Sequence, residues 1–472
     1  MTAATPVVLP DSDEDRLRWE ISKLRHRMLE GAYLRDLQTH MAKHLDPARL
    51  DAWGPPTMAL NAFKAFIDQL AVLYDAEPAV SNPDLTPEAA SYLNSLNLFC
   101  RHKQHQRYVL GLRESLLRIH WLPGNQAASP GIAVRIVTPD AVVVTALASA
   151  PTAPIRIEEA VWRVDPMTKA GGWTWDLWSI EDPANPYFRI EQDDGQGQRK
   201  DVTAKYVADP TYAYIDPDSG HPYLPWVLCH AEDSGRLWSP TEWHELVSGS
   251  MDIGLLASFW IHVVKDASWS QKVGIDVDLA GLSPAGAGAT SRQRVSTDPA
   301  SLLMFRSLGD RSGSLNSLQT SADPKAIIEA IVIFARMIGE SMGLSAADVE
   351  RSQAESGVAI QLRRDAIRRM QARFAPQFRK GDLEMLRKVA MISNTFAPAG
   401  TPLLPTSGWS ITYPGLPYSR EEMAERFAAL RERVEFGVAS KVDVILAEHP
   451  NWTREQAVAE LTRIQAENRQ FA

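Results

Sequence analysis

Apolar positions recur at helical spacing near both ends of the chain and alternate in a block between them. Leu17, Ile21, Leu24 and Met28 mark a first helix, with Ser12 and Asp15 as a capping box. Phe63, Phe66, Ile67, Leu70 and Leu73 form one face of a helix over 61–74. A third helical region is read over about 86–120, through Tyr108, Leu112, Leu116 and Leu117. Strand signals follow at 134–137 and 141–145, meeting at Thr138-Pro139-Asp140, and then at 155–164, 173–180, 187–190 and 223–228.

Helical patterning returns at Ser239-Pro240-Thr241-Glu242, a start signal with a cap residue, a first-turn proline and a closing glutamate. That helix runs through Leu246, Met251, Leu255, Phe259 and Val263 to about Ser268. Asp323 and Pro324 open another, apolar through Ile327, Ile328, Ile331, Phe334 and Ile338 to Gly343. About fifty residues rich in Gly, Ser and Ala separate the two, with strand candidates at 273–277 and 302–305. A polar segment at 345–356 leads into a basic helix that reaches Phe374, where Pro376 should kink or interrupt it. A further helix spans about 381–396 and a strand 409–413; three helices follow, the first capped by Ser419 and Glu422, the second short over 441–449, and the last capped by Thr453 and Gln456.

Composition narrows the function classes. The 472 residues carry 45% hydrophobic and 23% charged side chains and a net charge of -9. That allows a sizeable core and makes tight DNA binding by an overall basic protein a poor description. Cys100 and Cys229 are far apart and suit neither a disulfide framework nor a zinc site. No secretory leader and no membrane span of roughly 20 uninterrupted apolar residues is expected. Walker A, G-x-S-x-G and H-E-x-x-H patterns are absent, so no ATPase, hydrolase or metalloprotease site is read, and no cofactor or metal is expected.

His102 and His105 share a helix face at i, i+3 and are read as a solvated pair on a polar face rather than as metal ligands. Trp162, Trp173, Trp175 and Trp178 cluster in the alternating block. Core filling is favoured for them, and sugar stacking with a carboxylate pair such as Asp176 and Glu181 is the enzyme alternative. Between Arg351 and Lys388 lie ten cations and four anions. The run is read as ion pairs to a neighbouring subunit in preference to direct contact with DNA phosphates.

Taken in order, these pieces resemble the bacteriophage portal protein family over about residues 15–470. Residues 61–74 followed by Asp75-Ala-Glu-Pro78 look like its early helix, and 112–119 with 134–145 like its helix leading to a strand pair. Ser356-Gly357-Val358-Ala359 is similar to the family's step into its long helix. The resemblance implies an α+β portal fold with a helical stem pair, a β-containing clip, a mixed α/β wing and a helical C-terminal crown. Its parts would be wing 1–238, stem helix 239–268, clip 269–321, second stem helix 322–344, tunnel loop 345–357, wing 358–416 and crown 417–472.

The same resemblance implies a non-enzymatic ring of about twelve subunits at one capsid vertex of a virion assembled in the bacterial cytoplasm. Double-stranded DNA would pass through the channel during packaging and ejection. The partners implied are the terminase large subunit, a head-tail adaptor, and the major capsid or scaffolding protein, with no membrane. The tunnel loop would hold Asp348, Glu350, Arg351, Ser352, Gln353, Glu355 and Ser356. Arg292, Arg294 and Arg306 would be clip contacts for terminase or adaptor. Arg363, Arg364, Arg368, Arg369 and Arg373 would face a neighbouring subunit or DNA. The alternatives are another head or connector component, and a carbohydrate-active enzyme built on the Trp-rich block.

Overall fold

The computed structural model describes residues 13–47, 50–51, 54–56, 60–122, 131–193, 198–207, 210–268, 271–275, 277–279, 305–307, 314–318, 323–342, 357–414, 420–448 and 452–471. They fall into two compact units: 1–351 with 366–414, and 352–365 with 415–472.

The first unit begins with helices α1 (Asp13–Glu30), α2 (Leu34–Met41), α3 (Ala62–Leu70), α4 (Pro87–Ser95) and α5 (His102–Leu112). Asn61 caps α3 by accepting the Lys64 N–H at 2.9 Å. The reading of a helix as far as residue 120 is corrected here. Arg113 takes a left-handed φ of 75° and ends α5, and Glu114–Leu122 is strand β2. The alternation is visible in the packing: Leu117 and Ile119 enter the helical core, whereas Leu116 enters a separate core with Val137, Ile157 and Trp226.

β2 lies between β3 (Gly131–Val137) and β9 (Trp226–His230). The next sheet runs β4 (Val142–Leu147), β5 (Ala150–Val164), β6 (Gly171–Ser179), β7 (Tyr187–Asp193) and β8 (Arg199–Asp201) in sequential order. The strands on either side of Thr138-Pro139-Asp140 therefore belong to different sheets and do not pair with each other. A short helix, α6 (Thr203–Tyr206), follows β8. Every strand pairing among the described residues is antiparallel, so the chain is of the α+β class.

Helices α7 (His244–Ser268) and α8 (Pro324–Ser341) pack on each other. The approach is close because Gly249 has no side chain, and a Cβ there would run into Ile338 Cδ1. Between them, β10 (Gln271–Ile275) pairs with β13 (Ser314–Leu318), and β11 (Val277–Leu279) with β12 (Phe305–Ser307), as two nested antiparallel pairs. Contrary to expectation, 21 residues of α7, His244–Val264, are long and apolar enough to cross a membrane, with a mean hydropathy of 1.4. Half of that stretch is buried inside the protein. Its contacts with α2, α3 and α8 account for its apolar character.

Pro376 does not divide the basic segment. A single helix, α9 (Gly357–Phe396), runs through it. Phe374 and Phe378 are both buried and anchor the turns on either side. Pro376 and Ala372 are exposed, so the Ala372 carbonyl left without a helical donor can turn to water. Gly381 lets α9 approach β9, since a Cβ there would stand 2.7 Å from Cys229 Sγ. A last strand, β14 (Ser410–Thr412), pairs with β1 (Ala79–Ser81).

The second unit holds α10 (Arg420–Glu435), α11 (Lys441–Glu448) and α12 (Arg454–Phe471). Gly437, at φ 70°, follows α10. Thr453 and Gln456 form a reciprocal capping box: the Thr453 N–H reaches Gln456 Oε1 at 2.9 Å and the Gln456 N–H reaches Thr453 Oγ1 at 3.3 Å.

Candidate functional site

Buried charges are where catalytic groups concentrate, and the described residues hold three clusters of them. Arg118 on β2 donates to Glu159 on β5 at 2.6 Å and to Asp176 on β6 at 2.8 Å. Arg163 donates to both oxygens of Asp176, at 2.5 and 2.8 Å. Arg135 pairs with the other oxygen of Glu159. Burial alone would raise Asp176, but the Arg163 hydrogen bond and the charges of Arg118 and Arg163 outweigh it and hold the carboxyl below its ordinary value. Asp176 is therefore a doubly clamped counter-ion tying two sheets together. Glu181 is exposed and outside this network. Trp175 and Trp178 are buried, with Trp178 against Phe188 at 4.2 Å, so neither presents a free face to a sugar, but the core-filling expectation fails for Trp162, which is 48% exposed and meets Trp173 edge-on at 5.4 Å.

A second knot surrounds Arg113. Its guanidinium reaches Glu242 at 2.6 Å and Glu232 at 3.3 Å and lies 4.3 Å above the Trp243 ring. These contacts hold a non-glycine residue in the left-handed region. They also undo the capping box expected at Ser239-Pro240-Thr241-Glu242. Glu242 is drawn to Arg113, Trp243 turns to φ 57°, and α7 starts only at His244. The Ser239 N–H goes to Glu114 Oε1 at 2.5 Å. Burial pushes Glu114 up to about 7 despite that hydrogen bond and the Arg113 charge. Burial and then the Arg113 charge lower Arg25 to about 10.

The third cluster corrects the reading of His102 and His105. Both rings are buried, not solvated. His102 Nε2 lies 3.6 Å from Asp382 Oδ1, and Asp382 Oδ2 accepts the hydroxyls of Tyr74 at 2.6 Å and Tyr413 at 2.7 Å. Burial raises Asp382 to about 7 against the pull of the two tyrosine hydrogen bonds. Burial lowers His102 to about 4 and His105 well below the ordinary imidazole value. The cluster joins α5, α9 and the segment after β14, and its member His102 borders a cleft. That cleft, of about 350 Å³, is lined by His102 with Asn97, Cys100, Arg101, His120 and Arg135 among others, with no carboxylate in its walls.

The residues named from the resemblance are placed unevenly. Asp348, Glu350, Arg351, Ser352, Gln353, Glu355 and Ser356 lie outside the described residues, as do Arg292 and Arg294. Arg306 stands on β12 opposite Asp278 of β11. Arg363 and Arg364 belong to α9, with side chains outside the described set. Arg368 is half-buried and Arg369 exposed. Arg373, 52% exposed, pairs with Glu232 of its own chain. Arg387 reaches Asp216 at 2.8 Å and Lys388 reaches Glu384 at 2.6 Å. Three cations of the basic run thus have partners inside the chain, where contacts to a neighbouring subunit were expected.

Two features remain that point outward. On α8, Ile331, Phe334 and Ile338 pack into the helical core, while Ile328, Val332, Ile333 and Met337 are 38–59% exposed. Charged side chains Glu329, Arg336 and Glu340 share this outer side. The other feature is a trio that the sequence reading missed: His40 and His44 with Asp252 of α7, whose ligand atoms all lie within 4.8 Å of one another. The His-x-x-x-His spacing was the available signal, but the carboxylate is 212 residues from His40. No protein-family model matches the chain, and no curated protein matches it.

Proposed function

We propose that the chain is a portal-type ring subunit of a bacteriophage head. It would form a channel for DNA packaging and ejection and a platform for terminase and head-tail adaptor. The observation that carries this reading is the unit α7, nested strand pairs, α8. Two helices are held in close contact at Gly249 and Ile338, and a strand module is inserted between them. The outer side of α8 adds support, because four large apolar side chains with interleaved charges suit contact with another copy of the chain. Asp176, held between Arg118 and Arg163, is fully engaged as a counter-ion, which suits a structural role. The buried Trp175 and Trp178 speak against the carbohydrate-active alternative.

The test is electron microscopy of the purified full chain, alone and with its cognate scaffolding protein. A closed ring of about twelve subunits with a hole wide enough for duplex DNA is the expected result. A monomer under both conditions would overturn the reading.

A further inference from the structure

We propose that His40, His44 and Asp252 form a binding site for a late first-row divalent cation, of which zinc is the natural occupant. His40 lies in α2, and His44 follows one helical turn later. The turn is kept past the end of the helix by the Lys43 N–H to the His40 carbonyl and the His44 N–H to the Met41 carbonyl, both at 3.0 Å. The two imidazoles therefore stay on one side of the backbone, with ring centroids 5.0 Å apart. Asp252 reaches them from α7, its Oδ1 2.8 Å from His40 Nε2.

The donor chemistry fits that class of metal. The two imidazoles are borderline ligands that favour zinc, cobalt or nickel over magnesium or calcium, and the single hard carboxylate does not reverse that preference. Bonds of 2.0–2.1 Å in a tetrahedron place donors about 3.3 Å apart. The three donors, all within 4.8 Å of one another, reach that spacing by small side-chain rotations. The site is at the surface: His40 and Asp252 side chains are 20% and 42% exposed, and His44 is exposed. Entry is open and water can fill a fourth position. The bound ion would staple α2 to the long apolar helix α7. It would do so in a monomer or a ring alike, so the site stands apart from the portal reading.

The experiment uses the untagged full chain after chelator treatment. Zinc is titrated by calorimetry and cobalt by visible absorption. One equivalent per chain is expected, with the intense cobalt bands of a site of low coordination number and a higher thermal midpoint with zinc. His44→Ala and Asp252→Asn should each weaken binding by about tenfold or more, with far-ultraviolet circular dichroism unchanged. His44 is exposed, so its variant isolates ligation from folding. Absence of stoichiometric binding, or equal binding by all three proteins, would overturn the proposal. In that case His40 and Asp252 are a hydrogen-bonded pair only.

Discussion

Asp382 is a carboxyl that water does not reach, and its protonation couples to folding. Its unfolded value is near 3.8 and its folded value about 7, so between them the native state keeps a proton that the unfolded chain releases. The stability it confers is present below 3.8 and is lost as pH rises through 7. His102 works in the opposite direction. Its folded value is about 4 against 6.5, so its contribution is present above 6.5 and lost as pH falls through 4. From 4 to 6.5 the two slopes offset each other. Asp382→Asn keeps an acceptor for Tyr74 and Tyr413 but removes the first slope. Urea unfolding at pH 5 and pH 7.5 should show the variant gaining about 2 kcal/mol relative to the wild type at the higher pH. An unchanged difference between the two would mean that Asp382 is ionised in the native protein throughout.

At the scale of elements, local chemistry was legible and long-range chemistry was not. The helix starts at Asp323 and Thr453 could be read because donor and acceptor lie within three residues of each other. The cap at Ser239 failed because Glu242 answers to Arg113, 129 residues away. The segment after Leu112 was misread because its leucines satisfy both helical and alternating periods. The left-handed turn at Arg113 that decides between them has no glycine to announce it. Nothing near His40 announces Asp252 for the same reason. Pro376 was given too much weight: Phe374 and Phe378 bury enough apolar surface to carry α9 through it. An exposed proline inside a helix still costs a hydrogen bond. Pro376→Ala should therefore stabilise the protein by about 1–3 kcal/mol, read as a higher denaturant midpoint with an unchanged m-value. A loss of stability would show that the proline ring itself is needed for the packing of α9.

At the scale of the whole molecule, the question is what covers the outer side of α8. Its inner side explains Ile331, Phe334 and Ile338, but nothing in the described chain explains why Ile328, Val332, Ile333 and Met337 are apolar as well. A subunit contact would, since burying a side chain of this size stabilises an interface by about 1.5–3 kcal/mol. In a closed ring the same contact recurs at every junction, so a local change acts once per subunit. The paired substitutions Ile333→Glu and Met337→Glu alter positions that are already 53% and 59% exposed. They should leave the thermal midpoint of the monomer within about 0.5 kcal/mol equivalents of the parent. Sedimentation velocity should then show monomers under conditions in which the parent assembles the proposed ring, because two carboxylates would have to enter an apolar contact without partners. Rings that persist in the double variant would move the subunit interface away from α8 and leave its apolar side to another partner.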